Sequence, residues 1–375
     1  MTSALFTPAT LRGLTVDNRI VVGPMDQYSA ADGCASDWHL MHLGRYAVSG
    51  VGMIITEAAA VERRGRITHG CLGLYSDENE AALDRVVRFC REHGRAKLGI
   101  QIAHAGRKGS TRMPAAGGAQ SRAPEFLAPE EDAWETVGCA GVPRAPGWPT
   151  PRALDEAGLE RMIAAHADTT RRAARIGFDL LELVMSHGYL LHEFLSPLSN
   201  RRTDAFGGSD LENRMRFPLA VFTAVREAWP ADRPLGVRIS ATDWVEGGWN
   251  PEESVTLCRR LRDMGCDFVA VSTGGLSLEQ KIAVSEGHQV EFSALIRRRA
   301  EIATMTTGMI FDPHHAERIV AEGDADFVCI ARGMLSDPHW AWRAAAALDA
   351  DIPFPRQYVR GYRSKWHRAQ RGKSG

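Results

Sequence analysis

At 375 residues, 44% of them hydrophobic and 24% charged, the chain can bury a large core, either as one big α/β domain or as two ordinary ones. A formal charge of -1 offers no field for nucleic acid or an anionic membrane. No charged-then-apolar leader and no apolar run of transmembrane length is visible, so the sequence predicts a cytoplasmic protein. Its seven scattered cysteines, without a C-x-x-C pair, argue against a disulfide framework, a structural zinc or an iron–sulfur cluster.

In chain order, β-rich apolar runs occur at 19–25, 52–58, 97–103, 178–184, 234–240, 267–272, 301–308 and 326–331. Between them lie segments with helical spacing, at 77–94, 154–177, 209–228, 251–265 and 312–323. Gly94, Gly177, Gly265 and Gly323 stand where a left-handed helix C-cap is expected. Eight β/α units predict a (β/α)8 TIM barrel, whose continuously apolar strands suit a parallel sheet buried on both faces. Residues 104–153, rich in Gly, Pro, Ala and Arg, read as a long loop inserted after strand 3 and lying over the barrel mouth. Residues 1–362 form one barrel in this reading, and the basic tail 363–375 is expected to be disordered.

Barrel chemistry sits at the C-terminal strand ends. Those ends carry Pro24, Met25, Asp26 and Tyr28, then Glu57 and Ala58, Gln101 and His104, and Val184, His187 and Tyr189. Arg238, Ser272 to Gly275, Gly308, and Ala331 to Gly333 complete the set. No lysine occupies a strand end as a Schiff base would require, and no metal triad appears. Gly308 and the Ala331-Arg332-Gly333 turn occupy the usual phosphate position after strands 7 and 8, where backbone N–H groups and a guanidinium would bind a phosphate. Gln101 and Arg238, deep in the barrel, suit the polar edge of a planar ring, although backbone carbonyls could satisfy them equally well. His39, His42 and His104 read as structural histidines.

With these residues placed, the chain resembles the old yellow enzyme family of FMN-dependent ene reductases over almost its whole length. The resemblance is carried by LFTPATLRGLTVDNRIVVGPM (5–25), QIAHAGRK (101–108), HGYLLHEFLSPLSNRRTDAFGGSDLENRMRF (187–217), VRISATDW (237–244) and IARGMLSDP (330–338). It implies FMN held by Pro24, Met25, Ala58, Gln101, Arg238, Gly308, Ala331 and Arg332, with NADPH or NADH as reductant. It also implies hydride transfer from the reduced flavin N5 to an activated C=C, Tyr189 as proton donor, His187 on the substrate oxygen and Tyr28 shaping the site. QYVRGY (357–362) resembles the branch whose arginine, here Arg360, reaches a neighbouring subunit's site, which implies a homo-oligomer.

Two positions depart from that pattern. The fourth strand normally ends in a histidine that shares the substrate carbonyl with a second one, and here it has Val184. The first strand normally places a cysteine beside the flavin, and here it has Asp26. Losing one of two donors removes roughly 2–4 kcal/mol of carbonyl polarisation where the transition state depends on it. A carboxylate at Asp26 would oppose the anionic reduced flavin if ionised, or donate a proton if burial raised its pKa. A plainer reading leaves Asp26 bonded to nearby backbone or Tyr28, with Val184 filling space.

These departures leave two rivals to the ene reductase. One is a flavin enzyme with changed chemistry, either a dehydrogenase, an aryl-CoA dearomatising reductase or a redox-neutral isomerase, with Asp26 as base or cation partner. The other is a non-catalytic FMN-binding protein. DWHLMHLG (37–44), HAGRKGST (104–111) and RISATDWVEGG (238–248) resemble the reductase-type domain of 2-aminobenzoyl-CoA and salicylyl-CoA hydroxylases. A CoA thioester would give Arg107, Lys108, Arg112 and Arg122 phosphates to bind, and the alternative is that they are solvated surface.

Overall fold

The computed structural model describes residues 3–113 and 125–361. Eight parallel strands close in chain order into a barrel: β1 (Ile20–Val22), β2 (Met53–Ala60), β3 (Lys97–Ala103), β4 (Leu180–Met185), β5 (Leu235–Ser240), β6 (Phe268–Ser272), β7 (Ala303–Thr306) and β8 (Phe327–Ile330). This is the expected (β/α)8 barrel. Side chains alternate along each strand, so Leu181, Leu183, Val237 and Val269 pack outward against the helices while Leu180, Phe268 and Phe327 fill the lumen. Below them an antiparallel hairpin, Ala9–Leu11 with Leu14–Val16, plugs the barrel floor with Leu11 and Val16.

The inward face turns polar toward the C-terminal strand ends. Strand register pairs Gln101 with Glu182 and Val184 with Arg238, and so sets polar groups side by side above the apolar layer. A register irregularity in β2 between Ile55 and Ala58 accompanies the inward Glu57.

Several of the outer helices begin on side-chain caps. Ser76 opens α2 (Asp77–His93), Asp155 opens α3 (Glu156–Ile176), and Asn250 and Asp312 precede a first-turn proline in α6 (Pro251–Asp263) and α8 (Pro313–Ala321). α1 (Asp37–Ala47), α4 (Leu190–Leu195), α5 (Leu211–Ala228) and α7 (Val290–Ala300) complete the ring, and α9 (Arg332–Ser336) and α10 (Trp340–Ala347) follow β8. Gly177, Gly265 and Gly323 have the expected positive φ, whereas Gly94 is extended at φ -114. Gly94 is small for another reason, since a Cβ there would stand 2.5 Å from the carbonyl oxygen of Ala47.

The described part of the 104–153 insertion is anchored rather than loose. It contains a 3₁₀ turn, Gly106–Lys108, and a short pairing of Val137–Gly138 with Arg152–Ala153. The buried carboxylate of Glu193 accepts the backbone N–H of Arg107 at 2.8 Å and of Cys139 at 3.1 Å, tying both ends of the insertion to α4. The tail 363–375 and Arg122 lie outside the described residues. Among the described residues no helix is long and apolar enough to cross a membrane, and no cluster of three or more metal-ligating side chains occurs.

Candidate active site

A cavity of about 700 Å³ opens at the C-terminal end of the barrel, from β5 round to β1. Pro24, Arg238, Gly308, Ala331 and Arg332 line it, so five of the eight residues expected to hold cofactor share one space. Gly308 has φ +112, and a Cβ there would come within 3.2 Å of Gln289, so bare backbone is what this turn presents to the cavity. Beneath it, Gln101 Nε2 donates to Glu182 Oε1 at 2.5 Å, while Glu182 Oε2 and Arg238 Nε are buried with no hydrogen-bond partner among the described residues. Burial raises the Glu182 carboxyl, and Arg238 and Gln101 oppose that rise. Unmet polar groups under a roomy cavity, with a glycine-rich turn at its rim, fit a planar ring bearing a phosphate, and FMN is such a molecule.

Met25 and Ala58 approach from the neighbouring strand ends. Ala58 lines a separate crevice with Tyr189, Ile67 and Cys71, and its backbone N–H donates to the Asp26 carboxylate. Burial, reinforced by the nearby Glu57 carboxylate, pushes Asp26 up to about 7, against the pull of Lys108, Ala58 and Arg238. Glu57 is itself fixed. Its Oε2 accepts the Gln27 N–H at 3.2 Å, and its Oε1 lies 3.1 Å from His39 Nε2. His39 Nδ1 accepts the Ser36 N–H at 2.9 Å, so the ring proton sits on Nε2, facing Glu57. His39 is thereby a support for Glu57.

The opposite wall is the turn after β4. His187 has φ 59, one of several left-handed non-glycine residues at the mouth, with Tyr28 at φ 51 and Met309 at φ 54. Its backbone N–H donates to Ser240 Oγ at 2.9 Å, and its ring nitrogens lie 2.6 Å from Ser272 Oγ and 3.1 Å from Ser186 Oγ. Burial and then Arg238 and Lys108 hold its pKa well below 6.5, so the ring is neutral. Tyr189 packs with Tyr28 around Ile67, Cys71 and Ala105, and burial raises the pKa of both phenols. Lys108 reaches under this turn. Its Nζ donates to the His187 carbonyl at 2.8 Å and stands 4.6 Å from the Tyr189 ring centre. Val184 is buried at 3% exposure and adds no polar atom.

The structure thus gathers Asp26, Tyr28, His187 and Tyr189 at one mouth, with the cofactor cavity beside them. Arg360 is not there. It is exposed on the 3₁₀ turn Arg356–Gly361, next to Tyr358, which packs on Trp342, and it is not among the residues lining the cavity. His104, read as structural, has Glu62 at 2.9 Å. Arg107 and Lys108 are buried rather than solvated, at 5% and 4% exposure, while Arg112 is exposed and paired with Glu125 and Glu131.

Sequence reasoning missed three groups. Glu182, a carboxylate inside an otherwise apolar strand, was a detectable signal, since a charge buried there demands partners. The closeness of Lys108 to Tyr189 and the presence of Arg144 at the mouth depend on how the insertion folds back, and neither left a local signal.

The family description NADH:flavin oxidoreductase / NADH oxidase matches residues 4–351. An NADPH dehydrogenase of Geobacillus sp. (strain WCH70) is 42% identical over 365 residues, covering 97% of this chain and all of that protein. Among solved structures, morphinone reductase superposes with a TM-score of 0.75 at 24% identity, covering 94% of this chain and 91% of its own. A 2-naphthoyl-CoA reductase complex with 2-naphthoyl-CoA superposes at 0.79 and 23% identity; this chain spans 52% of that reductase, and the match covers 92% of this chain. Together with the cavity and its unmet polar groups, these likenesses identify the chain as a member of the NADH:flavin oxidoreductase / NADH oxidase family, an FMN-dependent NAD(P)H oxidoreductase of the old yellow enzyme type.

Proposed function

We propose that this oxidoreductase reduces an activated C=C bond through a site whose carbonyl polarisation is weaker, and whose flavin-side charge is different, from the family pattern. The observation that carries the reading is the convergence of Tyr189, His187 and Asp26 at the cofactor mouth while Val184 contributes no donor. When bound, FMN supplies the hydride chemistry, drawing on NADH or NADPH.

In this reading Tyr189 gives the proton to the substrate carbon. Its raised pKa keeps the phenol protonated at neutral pH, and Lys108 stands beside its ring. His187, neutral and between two serine hydroxyls, offers the substrate oxygen one N–H rather than two. Ser272 shares that donor and also lines the cofactor cavity, so ligand binding and the His187 tautomer are linked. Asp26, near its midpoint at neutral pH, either donates a hydrogen bond or carries a charge there, according to pH. Arg360 of a partner subunit is proposed to close the mouth in a homo-oligomer, because within one chain it is exposed and does not line the cavity.

A second reading, in which the chemistry serves an aryl thioester, rests on the resemblance of 37–44, 104–111 and 238–248 to the CoA-linked hydroxylases. The test is anaerobic. The photoreduced holoenzyme is mixed with 2-cyclohexenone or with an aryl-CoA, and flavin reoxidation is followed. Fast reoxidation by the enone alone supports an ordinary ene reductase. Slow reoxidation by the enone with fast reoxidation by the thioester overturns it in favour of the second reading. No reoxidation by either, together with failure of NADH and NADPH to reduce the flavin, would leave a non-catalytic FMN-binding protein.

A further inference from the structure

The insertion brings a cation to the mouth that the reaction as described does not use. The guanidinium of Arg144 lies on the Trp148 face, 4.8 Å from the ring centre, and its Nη2 donates to the Gly275 carbonyl at 3.4 Å. Its Nε and Nη1 are shut from solvent and have no acceptor among the described residues. Gly275 leans directly on the β4 turn, for a Cβ built there would stand 2.6 Å from His187 Cα. Arg144 is therefore held at the corner that carries His187 and Tyr189, the same corner whose His187 carbonyl accepts from Lys108 Nζ.

Arg107 supports this arrangement from behind. Its Nη1 donates to the carbonyls of Val142 and Pro143, the two residues before Arg144, and its backbone is fixed by Glu193. Arg144, Arg107 and Lys108 thus converge where Asp26 and Glu193 are the facing carboxyl groups, and burial raises both of those to about 7. Burial and the repulsion from Arg107 lower Arg144 to about 10, and burial with Arg144 and Arg107 lowers Lys108. A half-buried guanidinium whose Nε and Nη1 are shut from water without an acceptor is stabilised when an anion completes it. The phosphate cradle at Gly308 and Arg332 lies at other strand ends, so the cofactor phosphate does not fill this role.

We propose that Arg144, with Lys108 beside it, forms a receptor for a carboxylate group of the substrate, so that this enzyme selects an anionic activated alkene over a neutral one. The proposal deepens the reductase reading and rests on it for the word substrate; the receptor itself rests on geometry alone. Each idle N–H can donate a charge-assisted hydrogen bond to a carboxylate oxygen, Nε and Nη1 pointing to different sides of the guanidinium and so serving one acceptor each. The receptor also gives an anchor to a substrate whose carbonyl is held by a single histidine donor.

The test uses the flavin-loaded enzyme with two probes of like shape, 3-oxocyclohex-1-ene-1-carboxylate and its methyl ester. Dissociation constants come from the perturbation of the oxidised flavin absorbance, and reoxidation rates from stopped flow. The carboxylate should bind tighter than the ester by roughly tenfold or more, as expected for hydrogen bonds to a charged group. Arg144→Met should bring that ratio to about one, and Arg144→Lys, which keeps the charge but not the guanidinium N–H groups, should retain part of it. A wild-type ratio at or below one overturns the proposal without any variant, as does an undiminished ratio in a flavin-loaded Arg144→Met. A rise in the NADPH dissociation constant of Arg144→Met with an unchanged probe ratio would assign the arginine to the nicotinamide cofactor and also overturns it. Preferential binding of the carboxylate without reoxidation by either probe would sink the reductase reading and leave the receptor standing; equal binding with reoxidation by both would do the reverse.

Discussion

Replacing Asp26 by asparagine removes a titratable group while keeping its shape, and so isolates what burial beside Glu57 does to the protein. In the folded chain the carboxyl is pushed from 3.8 up to about 7, chiefly by burial and then by Glu57. At about 1.36 kcal/mol per pH unit that rise corresponds to roughly 4 kcal/mol, and water at the cavity mouth reduces it to about 2–4 kcal/mol. The sign follows from proton binding. Between pH 3.8 and about 7 the folded protein keeps a proton that the unfolded chain has released, so wild-type stability falls with rising pH across that window and is level above it. Asparagine does not titrate. The stability of Asp26→Asn relative to wild type should therefore rise by about 2–4 kcal/mol from pH 4 to pH 7.5, then stay constant to pH 9. Urea denaturation of both flavin-loaded proteins across this range measures the difference. Glu193, also near 7, titrates in both and subtracts out. A difference that is flat from pH 4 to 9 refutes the argument, because it would mean that Asp26 ionises as freely folded as unfolded.

Three further expectations concern neighbouring parts of the site. Tyr189→Phe should slow flavin reoxidation by an activated alkene by about 10²-fold or more through loss of the acid; an unchanged stopped-flow rate would remove Tyr189 from the chemistry. Glu193→Ala leaves two buried backbone N–H groups, those of Arg107 and Cys139, without their acceptor, at a cost of about 2–4 kcal/mol, and should speed limited proteolysis within the 104–153 insertion. Gly308→Ala forces a side chain to φ +112 and against Gln289, and should weaken FMN retention by about tenfold or more in an ultrafiltration assay; full retention would show that the turn is not part of the phosphate cradle.

Much of the fold was legible because it rests on periodicity. Strand runs such as 97–103 fall on β3 at Lys97–Ala103, and the helical spacing from 77 falls on α2 at Asp77–His93, since alternation and the 3.6-residue repeat are local properties of the chain. The barrel's C-terminal rule then pointed to Asp26, Tyr28, His187 and Tyr189 before any of them had a neighbour. Gly94 shows the limit of such reading. The motif suggested a left-handed cap, while the actual requirement is clearance from Ala47, a residue 47 positions earlier.

The sequence by itself determined the fold class and the strand ends that carry polar groups, with Asp26 on the first and Val184 on the fourth. Only the tertiary structure decided that Glu57 and Lys108 face Asp26, that Gln101 and Glu182 bond beneath the cofactor cavity, and that Arg144 returns to the mouth with idle donors. The physical reason is that periodicity and turn chemistry act over a few residues, whereas burial, charge pairing and pKa depend on groups brought together by the closing of the barrel and the docking of its insertion.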